Sequence, residues 1–323
     1  METATDSQSS DLVFAADLGG THLRVAAIDQ TGKIHFRSKQ QTPKADTPEV
    51  IVEAIVDAVN DCRNSDAMAG KTIAAVSIAV PGTVSFSERR VITVPNLPCL
   101  ENFDLGPVLQ EALGCPALIE NDANAAVVGE MWLGAAQGYQ NAVCITLGTG
   151  VGGGIVIDGK LLRGVDGSAG EIGHTSVDPF SGVRCKCGNE GCLEVYASGT
   201  GIVRMVSESL SGQALWALQA EGVLTAERLF AAAKNGDKLA LNTFRRMGSY
   251  LGVGIANLVN LLNPEIVVIG GGVANGWELF AEPMMRTVAE RAFPAPAQRV
   301  KIKKAEQGDD AGLVGAAKLA LAT

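Results

Sequence analysis

The stretch CKCGNEGC brings Cys185, Cys187 and Cys192 within eight residues, and His174 lies just upstream in GEIGHTSVD. Three thiols and one imidazole make the donor set of a four-coordinate zinc site. The spacing, C-x-C-x4-C, departs from the paired C-x-x-C of common zinc modules, so a redox dithiol and unligated thiols stand beside it as alternatives. On the metal reading, four protein ligands leave no position open for water, and the metal is structural rather than catalytic. The other four cysteines, Cys62, Cys99, Cys115 and Cys144, are scattered among apolar neighbours and are expected to be buried bystanders.

Two glycine-rich stretches directly follow apolar runs. DLGGTH contains Asp17, Gly19, Gly20 and Thr21, and LGTGVGGG contains Gly148, Thr149 and Gly150. A third run, at the end of EIVVIGGG, holds Gly271 and Gly272. Glycine lets backbone N–H groups approach an anion with no Cβ in the way, and the two threonines add hydroxyl donors. An ordinary glycine turn explains any one of these loops. Three of them, each ending a buried strand, point to a nucleotide gripped from both halves of the chain. No G-x-x-x-x-G-K-[ST] occurs, and β-prone residues rather than a helix follow GTGVGGG, which argues against both common nucleotide fingerprints. Asp17, at the end of its apolar run, reads either as a turn cap or as a carboxylate aimed at Mg2+.

In IENDANAAVVGE, Asn121 and Asp122 stand between an expected strand and an expected helix over 123–132. Asp and Asn are preferred helix N-caps, which is the plain structural explanation. The functional one makes Asp122 a general base and Asn121 a hydrogen-bond partner for a polyol.

The elements that must position these residues follow from periodicity. Short β-prone runs at 12–20 and 23–29 and the run IHFRSKQ, joined by tight turns, read as an antiparallel meander. Val50, Ile51, Ala54, Ile55, Ala58, Val59 and Cys62 recur at helical spacing. TIAAVSIAV is a strand stopped by Pro81 and Gly82; a helix near 105–113 and a strand at 117–120 complete a first α/β unit. Strand, glycine turn and strand then recur over 142–164, followed by a long helix over 238–262, the strand EIVVIG, the run VKIKKA and a last helix over 311–321. The recurrence indicates a duplicated α/β unit. We expect a tail over 1–11, a small lobe from 12–121 plus 308–323, and a large lobe over 122–307 that carries the cysteine loop. A chain of 323 residues exceeds what one core usually organises, in keeping with two lobes around a cleft.

A net charge of −9 disfavours nucleic-acid and membrane-surface partners, which need a basic face. No apolar run reaches the roughly 18 residues of a membrane span, and the polar start METATDSQSSD does not read as a signal peptide. A cytoplasmic location is the expectation.

DLGGTH, IAVPGTV, ENDANAAVVGE, LGTGVGGG, GEIGHTSVD, CKCGNEGCLE and IGGGV occur in this order and at matching intervals. Together they resemble the ROK family of sugar kinases and repressors, above all its bacterial glucokinases, over nearly the whole chain. The resemblance implies the two-lobed actin/hexokinase/Hsp70 ATPase-like α/β fold, with duplicated ribonuclease-H-like sheets and ATP and sugar in the cleft. It implies ATP- and Mg2+-dependent phosphorylation of a hexose, glucose first, with N-acetylmannosamine, N-acetylglucosamine or fructose as alternatives and a sugar-sensing regulator as a further one. It makes Asp17, Gly19, Gly20 and Thr21 the first phosphate loop, Gly148, Thr149 and Gly150 the second, and sets Gly271 and Gly272 against the adenosine. Asp122 becomes the base, Asn121, Glu171, His174 and Glu194 hold sugar hydroxyls, and Gly82 lines the pocket. His174, Cys185, Cys187 and Cys192 become zinc ligands. The family's repressors carry an added N-terminal winged helix; only about eleven residues precede the first strand here, which disfavours that branch. A homodimer is also expected from the family.

Overall fold

A computed structural model describes residues 11–210 and 222–322, which divide into two compact units. The tail expected over 1–11 lies outside the described residues, apart from Asp11, where the first strand begins.

The first unit comprises the chain through Gly134, residues 163–169 and the C-terminal stretch from Asp310. Strands β1 (Asp11–Leu18), β2 (His22–Ile28) and β3 (Ile34–Gln41) form the expected meander. Strand β4 (Thr72–Val80) joins the other side of β1 in parallel, and a short hairpin, β5 (Thr83–Ser85) and β6 (Arg90–Thr93), follows. Strand β7 (Ala117–Asn121) pairs in parallel with β4, giving the order β3-β2-β1-β4-β7. Strand β1 is apolar throughout its core because both of its faces are covered. Leu12, Phe14, Ala16 and Leu18 pack into one cluster with Ile51, Ile55 and Val59 of α1 (Pro48–Arg63) and Leu105 and Leu109 of α2 (Leu105–Leu113). The alternate residues Val13 and Ala15 pack on the opposite face with Leu313, Ala316 and Ala317 of the C-terminal helix (Ala311–Leu321).

Helix α3 (Asp122–Leu133) lies against that C-terminal helix so closely that two glycines are required. A Cβ on Gly129 would overlap the Ala311 carbonyl oxygen, and one on Gly315 the Ala125 carbonyl oxygen. This packing keeps α3 in the first unit, which runs on through Gly134, whereas the large lobe was expected to start at 122. The excursion 163–169, expected in the large lobe, also packs with the first unit, its Gly167 backbone against the Val84 carbonyl.

The second unit, 135–162 and 170–309, repeats the sheet plan. Strands β8 (Ala142–Leu147), β9 (Val151–Ile157), β10 (Lys160–Leu161), β11 (Ile266–Gly270) and β12 (Lys301–Lys304) stand in the order β10-β9-β8-β11-β12, which is again third, second, first, fourth, fifth. Helices α4 (Glu194–Ala197), α5 (Gly199–Ser209), α6 (Ala226–Lys234), α7 (Lys238–Leu262), α8 (Trp277–Arg291) and α9 (Pro294–Arg299) belong to this unit. Helix α7 starts where Asp237 accepts from the Ala240 N–H and stops at Asn263 in the left-handed region. Its Phe244, Met247, Leu251, Ile255 and Val259 fill the unit's core against β8 and β11. Pro283 inside α8 hid that helix from pattern reading.

Of the four scattered cysteines, Cys62 and Cys144 are buried, and burial pushes the Cys62 thiol up to about 11. Cys99 and Cys115 are only half-buried, against expectation, because each sits in a connection: Cys99 in a turn after Pro98, Cys115 just past the left-handed Gly114 that ends α2. Among the described residues, no helix is long and apolar enough to cross a membrane.

Candidate active site and metal-binding loop

In the first unit, the chemistry-bearing residues gather at the C-terminal ends of the parallel strands. Asp17 on β1, Ala79 on β4 and Glu120 on β7 stand in one register row, with Asn121 and Asp122 one step further on. That end of a parallel sheet is where α/β proteins bind ligands. Asp17 lies opposite Arg24 of β2, whose Nη1 is 3.4 Å from its Oδ2. The carboxylate is thus held in a strand pair. The loop after it is shaped from β3: the Thr42 hydroxyl donates to the Gly19 carbonyl at 2.6 Å, and the Thr42 N–H to the Thr21 carbonyl at 2.9 Å. Gly20 lies under Asn96, whose Cβ would be 3.0 Å from a Cβ at that position. Neither Thr42 nor Asn96 stood out in the sequence, since a lone polar residue in a turn carries no spacing signal.

Of the Asn121–Asp122 pair, it is Asn121 that caps the helix: its Oδ1 accepts from the Asn124 N–H at 2.9 Å, and its Nδ2 donates to the Gly82 carbonyl at 2.9 Å and to Asp122 Oδ1 at 3.2 Å. Asp122 is held as the first helical residue, with Oδ1 also accepting from the Ala123 N–H at 2.8 Å. It sits in the first turn of the helix, at the positive end of the helix dipole. Gly82 has φ 128° and its backbone presses on the Thr93 carbonyl, so only glycine fits where Asn121 is tethered.

Beneath this turn lies a residue the sequence reading passed over. Glu120 is 1% exposed. Its Oε1 accepts from the Asn121 N–H and from Asn124 Nδ2, both at 3.0 Å, and its Oε2 accepts from Arg163 Nε at 2.7 Å, with Arg163 Nη2 also at 2.7 Å. The Arg163 guanidinium lies 3.8 Å above the Phe86 ring. A buried carboxylate is tolerated only when paired and hydrogen-bonded, as here. The signal was available: a glutamate inside the apolar run ALIEN demands a buried cation, although its partner lies far along the chain.

In the second unit, the β8–β9 loop and the turn after β11 adjoin. Thr146 pairs with Gly270, and a Cβ on Gly271, at φ 82°, would overlap the Leu147 carbonyl oxygen. A cavity of 220 Å3 opens beside Gly270 and Gly271, walled by Asn275, Lys304 and Asp309. The loop itself is tied to the start of α5. The Gly199 N–H donates to the Gly148 carbonyl at 2.8 Å, and the Thr200 hydroxyl to the Thr149 carbonyl at 2.9 Å. Glu194 also reaches this loop: its Oε2 accepts from the Val151 N–H at 3.0 Å.

The cysteine loop gathers as its spacing predicted. Ligand atoms of His174, Cys185, Cys187 and Cys192 all lie within 4.8 Å of one another. His174 Nδ1 is 3.7 Å from Cys185 Sγ, and Cys187 Sγ is 3.7 Å from Cys192 Sγ. Zinc–sulfur bonds of about 2.3 Å in a tetrahedron give sulfur–sulfur edges of about 3.8 Å, so the cage fits that ion. A disulfide needs about 2.05 Å. Burial raises the Cys185 thiol and pushes Cys192 up to about 12, while the Asn189 N–H lowers Cys187. With Nδ1 turned to the thiols, His174 Nε2 points the other way, 3.9 Å from Glu171 Oε2.

The candidates thus fall into two sets. Asp17, Gly19, Gly20, Thr21, Gly82, Asn121 and Asp122 belong to the first unit. Gly148, Thr149, Gly150, Glu171, His174, Cys185, Cys187, Cys192, Glu194, Gly271 and Gly272 belong to the second.

Comparison with known proteins matches residues 13–323 to the ROK family. A glucokinase of Halalkalibacterium halodurans is 38% identical over 93% of this chain and 92% of its own length. An N-acetylmannosamine kinase of Citrobacter koseri is 35% identical over 95% of this chain and 98% of its own. Among solved structures, a ROK family glucokinase from Streptomyces griseus, in complex with glucose and AMPPNP, superposes with a TM-score of 0.81 at 36% identity, covering 97% of this chain and 100% of that one. The fold is accordingly the two-lobed α/β fold of the actin/hexokinase/Hsp70 ATPase class, and the chain belongs to the ROK family.

Proposed function

We propose that the chain is a hexose kinase that transfers the γ-phosphoryl group of ATP to glucose, giving glucose 6-phosphate and ADP. The observation that carries the reading is Asp122: a carboxylate at a strand-to-helix turn whose cap is the neighbouring Asn121, itself held through its N–H by the buried Glu120. A sugar hydroxyl is a poor nucleophile at neutral pH. Asp122 would accept its proton as the oxygen bonds to the γ-phosphorus and the bond to the ADP oxygen breaks. Asn121, Glu171, His174 and Glu194 would orient the sugar, with Gly82 lining its pocket and Nε2 of His174 the nitrogen available to a hydroxyl. The loops at 17–21 and 148–150 would meet the phosphates, and Gly271 and Gly272 would lie against adenosine, with room in the cavity beside Gly270 and Gly271.

Asp17 is the carboxylate suited to Mg2+, which when bound neutralises phosphate charge. His174, Cys185, Cys187 and Cys192 would hold zinc, which keeps their loop in one conformation. A cytoplasmic homodimer completes the reading, and a monomer by light scattering at micromolar concentration would exclude the dimer.

The kinship with an N-acetylmannosamine kinase favours an amino-sugar acceptor as the second reading. Steady-state kinetics with ATP on glucose, fructose, N-acetylmannosamine and N-acetylglucosamine separate the two. We expect kcat/KM for glucose at least about tenfold above both amino sugars, roughly what one misfitting group is worth in a pocket. The reverse ranking assigns the protein to the amino-sugar branch.

A further inference from the structure

We propose that Glu194 serves two subsites at once, holding the second glycine loop with one carboxylate oxygen and the hexose with the other, and so couples nucleotide binding to sugar binding. The inference rests on the hexose kinase reading and adds to it a role in the phosphate loop.

The loop at 148–151 has few supports of its own. Its Gly148 N–H closes on the Gly150 carbonyl at 2.9 Å. Its remaining ties run to the segment 194–200. Besides the two bonds from Gly199 and Thr200, the Ser198 and Thr200 hydroxyls lie 2.9 Å apart, and Ser198 Oγ accepts from the Gly201 N–H at 3.0 Å as the N-cap of α5. Glu194 Oε2 accepts from the Val151 N–H at 3.0 Å. A Cβ on Gly150 would overlap that same oxygen, so the glycine is what admits the carboxylate to the loop. Gly150 does not have a positive φ, so backbone conformation does not require a glycine there.

A carboxylate beside a phosphate-binding loop would repel its ligand unless turned to another purpose. Here Oε2 faces the Val151 N–H, which leaves the N–H groups of Thr149 and Gly150, neither bonded among the described residues, to meet an anion. Oε1 has no hydrogen-bond partner among the described residues and is the oxygen available to a sugar hydroxyl. Ordering of Glu194 by either ligand then lowers the cost of binding the other, and linkage makes the effect reciprocal.

The test uses the full-length, metal-loaded protein, titrated by calorimetry with ADP alone, glucose alone, and glucose in saturating ADP. E194Q keeps a carbonyl acceptor for the Val151 N–H; E194A removes it. We expect E194A to weaken ADP binding in the absence of sugar about tenfold, as loss of a charge-assisted hydrogen bond does, and E194Q to stay within about threefold of wild type. G150A, whose new methyl group lies in the phosphate loop, should weaken glucose binding in the absence of nucleotide about tenfold. The factor by which ADP tightens glucose should fall towards one in E194A. A sugar ligand with no second role predicts unchanged ADP binding in E194A, and that result overturns the proposal. If E194A leaves glucose binding intact, the hexose role of Glu194 fails, and the shared role with it. If glucose binding falls and ADP binding does not, the hexose reading stands and the loop role alone is lost.

Discussion

Superposed by topology, the two sheets put Asp17 and Thr146 in the same place, one residue before the leucine that closes the first hairpin of each sheet. In the first unit the strand supplies its own acid, held opposite Arg24. In the second the strand offers a hydroxyl, and the acid, Glu194, comes from a helix that begins two residues beyond the last thiol of the cysteine cluster. The fifth strands diverge as well. Strand β7 is buried through four of its five residues and leads straight into α3 with Asp122. Strand β12, KIKK, is mostly exposed and carries lysines, the usual protection of a sheet edge. One topology, used twice, thus gives one edge that is covered and seats a proposed base, and another that stays in solvent. Strand order does not assign chemistry; what covers each strand end does.

The strongest way to break this comparison is D122N. The substitution leaves the Asn121 cap and the Glu120 contacts in place, and we expect kcat to fall at least about a hundredfold with glucose affinity within about threefold. A variant that keeps more than a tenth of wild-type kcat removes the asymmetry between the two strand ends. Next in size is the cysteine loop. C187S, or mild chelation, should weaken glucose binding about tenfold as zinc content by elemental analysis falls in parallel. Nucleotide binding should weaken less, about threefold, because Glu194 lies two residues from Cys192. Unchanged sugar binding in zinc-depleted protein would reduce the loop to a brace, and wild-type protein without stoichiometric zinc would end the metal reading.

The fifth strands themselves give the smaller effects. I119V in β7 removes one methylene from a fully buried site and should cost about 1 kcal/mol in urea unfolding. K303A, on the exposed β12, should change stability by less than about 0.5 kcal/mol. Equal costs would mean that the two edges are equally covered, contrary to their burial.

Much of the site was legible in the residues. The cysteine cluster announced itself because ligand chemistry requires particular atoms at short range, and most of that range is local in sequence. The glycine loops were legible for a similar reason: a turn that must admit a backbone or an anion excludes Cβ, and Gly82 and Gly271 are held there by contacts no other residue tolerates. Helical spacing marked α1 and α7, and unbroken apolar runs marked β1 and β4, since a strand buried on both faces has no polar side to alternate with. The hairpin β5–β6 escaped because strands of three and four residues are too short to show a period.

Tertiary structure decided what depends on partners distant in the chain. Asn121 and Asp122 have nearly the same capping propensity, and the tether to the Gly82 carbonyl holds Asn121 as the cap. Glu120 became a brace only because residues 163–169 return Arg163 to the first unit. The boundary after Gly134 follows from two glycines, Gly129 and Gly315, that let α3 press against the C-terminal helix. Glu194 faces the Val151 N–H although 43 residues separate them. Sequence spacing fixes what neighbours along the chain can do together, because local geometry is set by covalent connection. Pairing across long separations is selected by packing and by the need to satisfy every buried charge and hydrogen-bonding group, and only the folded chain exposes that choice.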